Sequence, residues 1–289
     1  MTLIVSFVSE DFVALASDRR ITWEIGGASQ RWEDTENKAV VLAGHFLMGY
    51  TGFARLGDVK TERWVVEKLC RVEPGFAYFK TLTIETERAV KALGQPLHRS
   101  GHAFVAVGYG ATRADPEGPL RATCVTVTNA LGDGTYGTWT PAPHFTATRI
   151  PLLQGRNDFR MNALGISPPR RVIEEVVDVI RRYRKRHPRR VVGVLQVLVD
   201  LVRRVAAHDD RVSKDVSVSV LPRHAVGSSV LTPVRSGLIA DPIDTLTCMF
   251  VPDGTDTEHA EVYAPAIVTP GMAIYGGEVW STKPPWWSH

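Results

Sequence analysis

Hydrophobic residues form short runs near the start of the chain. Residues 4–8 and 12–16 are two apolar runs separated by a polar turn, which predicts two adjacent strands. The second run is almost continuously apolar, as is typical of a strand that is buried on both faces. Residues 38–42 and 46–50 predict a hairpin, and the polar residues 22–36 between the two pairs predict a longer loop.

Beyond residue 50 the predicted elements come in blocks of one kind. Apolar residues at helical spacing predict two helices, two strands follow, and two further helices precede the last strands. These elements cover residues 56–70, 76–93, 102–109, 121–128, 168–187, 191–208, 216–220 and 245–251. Runs of strands and runs of helices favour an α+β fold over strict βαβ alternation.

The last part of the chain differs in composition from the rest. Residues 223–289 are rich in Gly, Pro and Thr and carry one predicted strand. This segment is short and rich in loops. We therefore expect a core domain over residues 1–222 and a C-terminal extension over 223–289 that packs on this core.

The overall composition is that of a globular protein, with 44% hydrophobic and 22% charged residues in 289. A net charge of +3 is too small to indicate a nucleic-acid or membrane partner by itself. No stretch approaches the ~18 apolar residues of a membrane span. The apolar residues 2–8 lack the preceding positive charge of a signal peptide. We expect a cytoplasmic protein that binds neither nucleic acid nor membrane.

The three cysteines are scattered, and their spacing indicates neither a zinc site nor a disulfide framework. We expect no metal and no other cofactor. One basic run does stand out: Arg181–Arg190 contains seven Arg or Lys residues and no acid. Such a run is typical of a solvated helix end, where cations suit the helix dipole. It is also suited to docking an acidic partner.

Candidate chemistry lies at the ends of the predicted strands. Removal of Met1 would leave Thr2 with a hydroxyl nucleophile and an α-amine on one residue. The α-amine has a reference pKa near ~7.8, so it can act as the general base that a hydroxyl needs. Asp18 ends the second strand, Lys38 opens the third, and Gly52 follows the fourth.

This arrangement resembles the proteasome β-subunit family of N-terminal nucleophile hydrolases. The family pattern begins with Thr, has an acid sixteen residues on, and then has a Lys and a small-Gly pair before the first helix. Here Thr2 and Asp18 stand sixteen residues apart, and Lys38 and Gly52 stand fourteen apart, which is also the family spacing. The resemblance covers about residues 2–222.

A second block carries the same resemblance. Residues 206–213 read Ala-Ala-His-Asp-Asp-Arg-Val-Ser, similar to the Ala-Ala-His-Arg-Asp-x-x-Ser stretch of the family. The resemblance implies that Asp210 and Ser213 orient the N-terminal threonine. It departs at Gln154, where the family has a serine, and at Lys214 and Asp215, where the family has glycines.

The resemblance implies a four-layer αββα sandwich and a threonine-type hydrolase that cleaves polypeptide amide bonds within a homo-oligomeric ring. Thr2 would attack the carbonyl, Lys38 would lower the pKa of the nucleophile, Asp18 would pair with Lys38, and the Gly52 N–H would face the oxyanion. By register, the pocket for the substrate side chain would be lined by Ile21, Tyr50 and Ala54.

Two alternatives keep the fold and change the function. The same chemistry acts on small amides in acylases and amidases, because a fold does not determine a substrate. A ring subunit that has lost activity is the other alternative, and retention of Met1 would favour it. Asp18 and Lys38 would then be a structural ion pair, and Gly52 an ordinary turn glycine.

Overall fold

The computed structural model describes residues 2–25, 29–34, 36–56, 58–94, 101–111, 118–131, 140–150, 159–166, 168–188, 190–227, 243–275 and 278–281. Within these residues the fold is mixed α and β, with several sheets and four α-helices. Met1, Gln154 and one residue of the basic run, Arg189, lie outside the described part of the chain.

The strands in chain order are β1 (Leu3–Ser9), β2 (Phe12–Asp18), β3 (Ile21–Ile25), β4 (Ser29–Glu33), β5 (Ala39–Leu42), β6 (Phe46–Thr51), β7 (Arg55–Leu56), β8 (Val59–Lys60), β9 (Ala103–Gly110), β10 (Arg121–Leu131), β11 (Thr140–Ile150), β12 (Phe159–Gly165), β13 (Val216–Pro222), β14 (Thr247–Val251), β15 (Glu261–Val262), β16 (Ala266–Thr269), β17 (Met272–Tyr275) and β18 (Glu278–Ser281). The helices are α1 (Thr61–Leu69), α2 (Phe76–Ala92), α3 (Arg170–Arg186) and α4 (Val192–Ala206).

Two sheets contain most of these strands. The first has the order β12-β1-β2-β13-β14-β15 and is antiparallel throughout. The second has the order β11-β10-β9-β6-β5-β16-β17-β18, with one parallel pair, β5 and β16. Every residue of β1 and β2 is buried, as the continuous apolar run in the sequence predicts.

Three apolar clusters hold the sheets and helices together. In one cluster, Leu195, Leu198 and other residues of α3 and α4 pack on the β1–β2–β13 face of the first sheet. In another, α1 and α2 pack on the second sheet around Phe79 and Leu82. The third cluster contains residues of both sheets, among them Leu15 of β2. The sheets therefore contact each other on the faces that the helices leave free.

The structure corrects several local predictions. Residues 22–36, expected as a loop, contain the β3–β4 hairpin. The first helix begins at Thr61, because the preceding β8 (Val59–Lys60) pairs with β7 (Arg55–Leu56). The strands β11 and β12 were not predicted. Each lies at the edge of its sheet, and most of their side chains are exposed or half-buried, so their apolar pattern is weak.

Residues beyond 222 contribute strands to both sheets. The strands β14 and β15 continue the first sheet beyond β13, with Ser219 opposite Cys248. The strand β16 pairs with β5, and β17 and β18 follow it. The predicted strand at 245–251 corresponds to β14, which begins at Thr247.

Candidate active site

Thr2 and Asp18 are brought together by the pairing of β1 with β2. Thr2 directly precedes β1, and Asp18 is the last residue of β2. The two strands are antiparallel with Ile4 opposite Ser17, so the start of one lies beside the end of the other. The backbone N–H of Leu3 donates a hydrogen bond of 2.8 Å to Oδ1 of Asp18.

Lys38 and Gly52 are brought together by the β5–β6 hairpin. Lys38 directly precedes β5, and Gly52 directly follows β6. Since Ala39 lies opposite Gly49, the two flanking residues lie at the open end of the hairpin. This end meets Thr2 because the two sheets pack face to face here: a Cβ on Gly49 would lie 2.8 Å from the Leu15 side chain of β2.

Asp18 connects these segments. Nζ of Lys38 lies 3.2 Å from each carboxylate oxygen of Asp18, and it donates a 2.7 Å hydrogen bond to the carbonyl oxygen of Arg20. Asp18 is 0% exposed and the Lys38 side chain 2%. Burial lowers the pKa of Lys38, and the charge of Asp18 opposes that shift. The pair is therefore held in a fixed geometry away from water.

One small cavity, of about 30 Å³, lies at this junction. Six of the residues predicted for the site line it, namely Thr2, Ile21, Lys38, Tyr50, Gly52 and Ala54. Three more lining residues were not predicted: Arg20, Thr51 and Phe53. Six predicted site residues from four segments of the chain therefore share one cavity.

Gly52 has a backbone that other residues adopt at a cost. Its φ of +102° lies in the region that favours glycine. A Cβ at this position would lie 2.1 Å from Nδ1 of His102. The His102 ring stacks on the next residue, Phe53, with ring centroids 3.3 Å apart. Burial lowers the pKa of His102 to about 4, so the ring beside Gly52 is neutral at pH 7.

Asp210 and Ser213 are not among the described residues that line the cavity. Their connection to it runs through Arg20, whose guanidinium donates to the carbonyl oxygen of Asp210. Arg20 also forms two hydrogen bonds of 2.7 Å with the Asp34 carboxylate. The hydrogen bonds and charge of Arg20, and to a smaller degree a hydrogen bond from Ser213, lower the pKa of Asp34. Ser213 Oγ also accepts a bond from the N–H of Asp215.

Sequence reasoning did not identify Arg20 or Asp34 as site residues. Arg20 comes two positions after Asp18, and Asp34 lies in the segment that was expected to be a loop. The only available signal was a pair of opposite charges, Arg20 and Asp34, on both sides of residues 22–33. Charge pairs of this kind are common on protein surfaces, so the signal is weak.

Acidic residues lie behind Tyr50. The Tyr50 phenol is buried, and burial and the charge of Glu62 raise its pKa. Burial and the neighbouring Glu36 raise the pKa of Glu62 to about 7, and a hydrogen bond from Tyr275 opposes that shift. Lys60 forms an ion pair with Glu36. Tyr50, one of the residues that line the cavity, is therefore close enough to Glu62 and Glu36 for their charges to act on its phenol.

The basic run at Arg181–Arg190 is only partly a free charged surface. Arg184 is 8% exposed and pairs with Asp11 at 3.1 Å. Arg181 pairs with Asp178 on the same helix. The neighbouring cations Lys185 and Arg186 are exposed at the end of α3.

Three further properties concern the residues that the structure describes. They contain no group of three or more His, Cys, Asp or Glu side chains arranged to hold a metal ion. None of their helices combines the length and the apolar character that crossing a membrane requires. All three cysteines, Cys70, Cys124 and Cys248, are buried thiols.

No protein-family model matches this sequence, and no curated protein matches it. Similar solved structures exist. One is Anbu, an ancestral beta-subunit, from Yersinia bercovieri, at 11% identity over 76% of this chain and 81% of that chain, with a TM-score of 0.48. Another is Anbu from Hyphomicrobium sp. strain MC1, at 10% identity over 76% and 82%, with a TM-score of 0.45. At these values the similarity assigns neither a family nor an activity to this chain.

Proposed function

We propose that this protein is a threonine-type N-terminal nucleophile hydrolase that cleaves amide bonds, with Thr2 as nucleophile after removal of Met1. The observation that carries the proposal is the single cavity shared by Thr2, Lys38 and Gly52, with the buried Asp18–Lys38 pair hydrogen-bonded to the residue after Thr2. Nucleophile, cation and backbone donor are the parts that acyl transfer to a hydroxyl requires.

The proposed fold is the four-layer αββα sandwich of that class of hydrolases. The three apolar clusters support it, since α3 and α4 pack on one sheet, α1 and α2 pack on the other, and a shared cluster lies between the sheets. In this proposal residues 1–222 form the hydrolase core, and residues 223–289 extend it.

The proposed reaction proceeds through an ester. Thr2 Oγ attacks the carbonyl carbon of the amide, and the α-amine of Thr2 takes the hydroxyl proton. The resulting oxyanion accepts a hydrogen bond from the Gly52 N–H. The carbon–nitrogen bond then breaks, the leaving amine takes the proton, and Thr2 keeps the acyl group as an ester. Water attacks this ester, releases the acid and restores the hydroxyl.

Lys38 supplies the positive charge in this scheme. Lys38 lines the same cavity as Thr2, and a nearby cation lowers the pKa of both the hydroxyl and the amine. Asp18 fixes the position of Lys38 by accepting from Nζ with both oxygens. Asp210 and Ser213 affect the site indirectly. Asp210 accepts a hydrogen bond from Arg20, and Ser213 donates one to Asp34, which pairs with Arg20.

Two substrate classes compete, a polypeptide and a small amide. The small volume of the cavity, about 30 Å³, favours a small group next to the scissile bond, and Tyr50 is one of its lining residues. A peptide with alanine or glycine at that position satisfies this limit, and so does a short N-acyl amide. Hydrolysis of small N-acyl amides, with no cleavage of peptides, would select the second class.

The deciding experiment is intact mass spectrometry before and after exposure to a peptide epoxyketone. This probe forms a ring with the hydroxyl and the free amine of one residue, so a covalent adduct requires an N-terminal threonine. We expect loss of the Met1 mass and one adduct per chain, with no adduct in Thr2→Ala. Retained Met1 without an adduct would overturn the proposal, and the alternative of a ring subunit that has lost its activity would then be favoured.

The proposal includes a homo-oligomeric ring in the cytoplasm, with the exposed cations near Lys185 and Arg186 free to dock an acidic partner. Light scattering coupled to gel filtration measures the mass of the assembly. A mass of one chain would contradict the ring without affecting the proposed chemistry of Thr2.

A further inference from the structure

A second, much larger cavity lies at the other end of β6 from Thr2. It has a volume of about 950 Å³. Its walls come from the β5–β6 turn, the start of α2 and the ends of β9, β10 and β11, and most of them are apolar: Leu42, Phe46, Phe79, Tyr109, Leu120 and Val125. Ligand cavities typically have ~300–1,000 Å³ and apolar walls with a few polar groups.

This cavity is separate from the proposed active site. Phe46 begins β6 and lines the large cavity, whereas Thr51 ends β6 and lines the small one. Five residue steps along a strand span roughly 16 Å. No described residue lines both cavities.

One guanidinium group is fixed in the wall of the large cavity. Arg149 donates from Nε to Thr123 Oγ1 at 3.3 Å and from Nη2 to the carbonyl oxygen of Ala111 at 3.0 Å. Both contacts hold the group in place without neutralising it. In the described part of the chain, no carboxylate lies within ion-pair distance of Arg149.

None of the other titratable groups on the described residues that line the large cavity is a cation at pH 7, so Arg149 alone among them can pair with an anion. Glu73 lies at the exposed turn before α2. His45 is half-buried, and burial lowers its pKa, so it is neutral at pH 7. Tyr78 and Tyr109 remain protonated, because burial raises the pKa of each phenol. Arg149 is therefore the charge that selects the head group of a ligand.

We propose that this cavity binds a small amphiphile with a carboxylate head and an alkyl or aromatic body, with Arg149 pairing to the carboxylate. A guanidinium held by two hydrogen bonds matches a carboxylate in geometry and charge. The apolar walls remove the body of the ligand from water, which is favourable in proportion to the buried area. This site is independent of the proposed hydrolase activity.

The test uses decanoate and its neutral counterpart 1-decanol, both below their aggregation limits, with calorimetry on the full-length protein. Arg149→Gln removes the charge, and Arg182→Gln, on the exposed side of α3, is the matched control. Gly110→Val fills the cavity: a Cβ there meets only Phe46 Cζ, at 3.4 Å, which is an ordinary contact. Circular dichroism verifies that each variant is folded.

We expect decanoate to bind at one site per chain and 1-decanol at least tenfold more weakly. Arg149→Gln should weaken decanoate binding about tenfold or more, because the charge-assisted hydrogen bond to the carboxylate is lost. The same substitution should change the affinity for 1-decanol by no more than about twofold. Gly110→Val should weaken both ligands, and Arg182→Gln neither. The proposal fails if decanoate does not saturate, if 1-decanol binds equally well to the unmodified protein, or if folded Arg149→Gln binds decanoate unchanged. If Arg149→Gln does not fold, the proposal is still tested in two ways. One is the comparison of decanoate with 1-decanol on the unmodified protein, and the other is the effect of Gly110→Val on both ligands.

Discussion

A Cβ atom on Gly52 would lie 2.1 Å from Nδ1 of His102, well inside the contact distance of two non-bonded atoms. The imidazole cannot easily withdraw, because its ring stacks on Phe53 at 3.3 Å and its backbone N–H donates to Asn129 Oδ1 at 2.7 Å. The backbone proposed to hold the oxyanion is therefore packed directly on a buried aromatic ring. Glycine at position 52 is therefore required for two reasons, the positive φ and the close approach of the backbone to the His102 ring.

We expect Gly52→Ala to destabilise the protein and to abolish hydrolysis. A positive φ costs a non-glycine residue ~1–3 kcal/mol, and overpacking a tight site adds ~1–3 kcal/mol. Gly75→Ala is the matched control, since Gly75 also has a φ of +102° but nothing within 4 Å of a new Cβ. The free energy of unfolding in urea measures both. Equal losses in the two variants would show that the contact with His102 costs nothing.

The buried Asp18–Lys38 pair predicts strong coupling between two substitutions. Lys38→Met leaves the Asp18 carboxylate buried without its cation, and breaking a buried pair in this way costs ~3–5 kcal/mol. Asp18→Asn has a similar effect on Lys38 and also weakens the bond from the Leu3 N–H. The double variant should lose much less than the sum of the two, because no unpaired charge remains.

A double-mutant cycle measures this coupling from the free energies of unfolding of the four proteins. The exposed pair Arg63–Glu67 on α1 provides the control cycle, for which we expect a coupling of ~0.3–0.5 kcal/mol. Additive losses at Asp18 and Lys38 would contradict a desolvated pair. In the double variant, stability should recover in part while epoxyketone labelling of Thr2 stays absent, because Lys38 is required for the chemistry.

The parts of the fold that the sequence predicted well are those with a strong apolar pattern. The strands β1 and β2 are continuous apolar runs, and α3 follows Pro168 with Ile173 and Ile180 on its buried face. The edge strands β11 and β12 have no such pattern, because solvent covers part of their surface. Local spacing also cannot show that residues after 222 join both sheets, since β16 pairs with β5 across more than two hundred residues.

The candidate site divides in the same way. Thr2, Lys38 and Gly52 were identified through the resemblance to the proteasome β-subunit family. They line one cavity in the structure, while their chemical roles stay predictions. Arg20 and Asp34 were not predicted as site residues, because only their contacts in the folded chain connect them to the site. Arg20 reaches Asp210, 190 positions away in the chain, and such a contact leaves no trace in local sequence.

Arg20→Lys should lower activity much more than stability. The planar guanidinium bonds to both oxygens of Asp34 and to the Asp210 carbonyl, whereas an ammonium cannot reproduce this geometry. Both side chains of the Arg20–Asp34 pair are partly exposed, so we expect a stability loss of only ~1 kcal/mol. The rate of epoxyketone labelling and the melting temperature separate the two effects. Unchanged labelling would assign the Arg20 network a structural role alone.

Glu62 predicts a pH dependence of stability that can be assigned to one side chain. Its pKa is raised from 4.5 to about 7, chiefly by burial and also by Glu36. Between these two values the folded state keeps a proton that the unfolded state releases, so stability falls as pH rises through this range. A shift of this size corresponds to a loss of about 3 kcal/mol in the free energy of unfolding, and the loss is complete once the pH is well above 7.

Glu62→Gln cannot ionise, so it should remove this part of the pH dependence. The difference in free energy of unfolding between Glu62→Gln and the unmodified protein should shift by about 3 kcal/mol in favour of the variant between pH 4.5 and pH 8. Glu67→Gln, an exposed position on the same helix, is the control and should parallel the unmodified protein. Urea unfolding at four pH values is sufficient. If the stability of Glu62→Gln also changes with pH in parallel with that of the unmodified protein, Glu62 is ionised in the folded protein across this range. The carboxyl groups near Tyr50 would then be in contact with water.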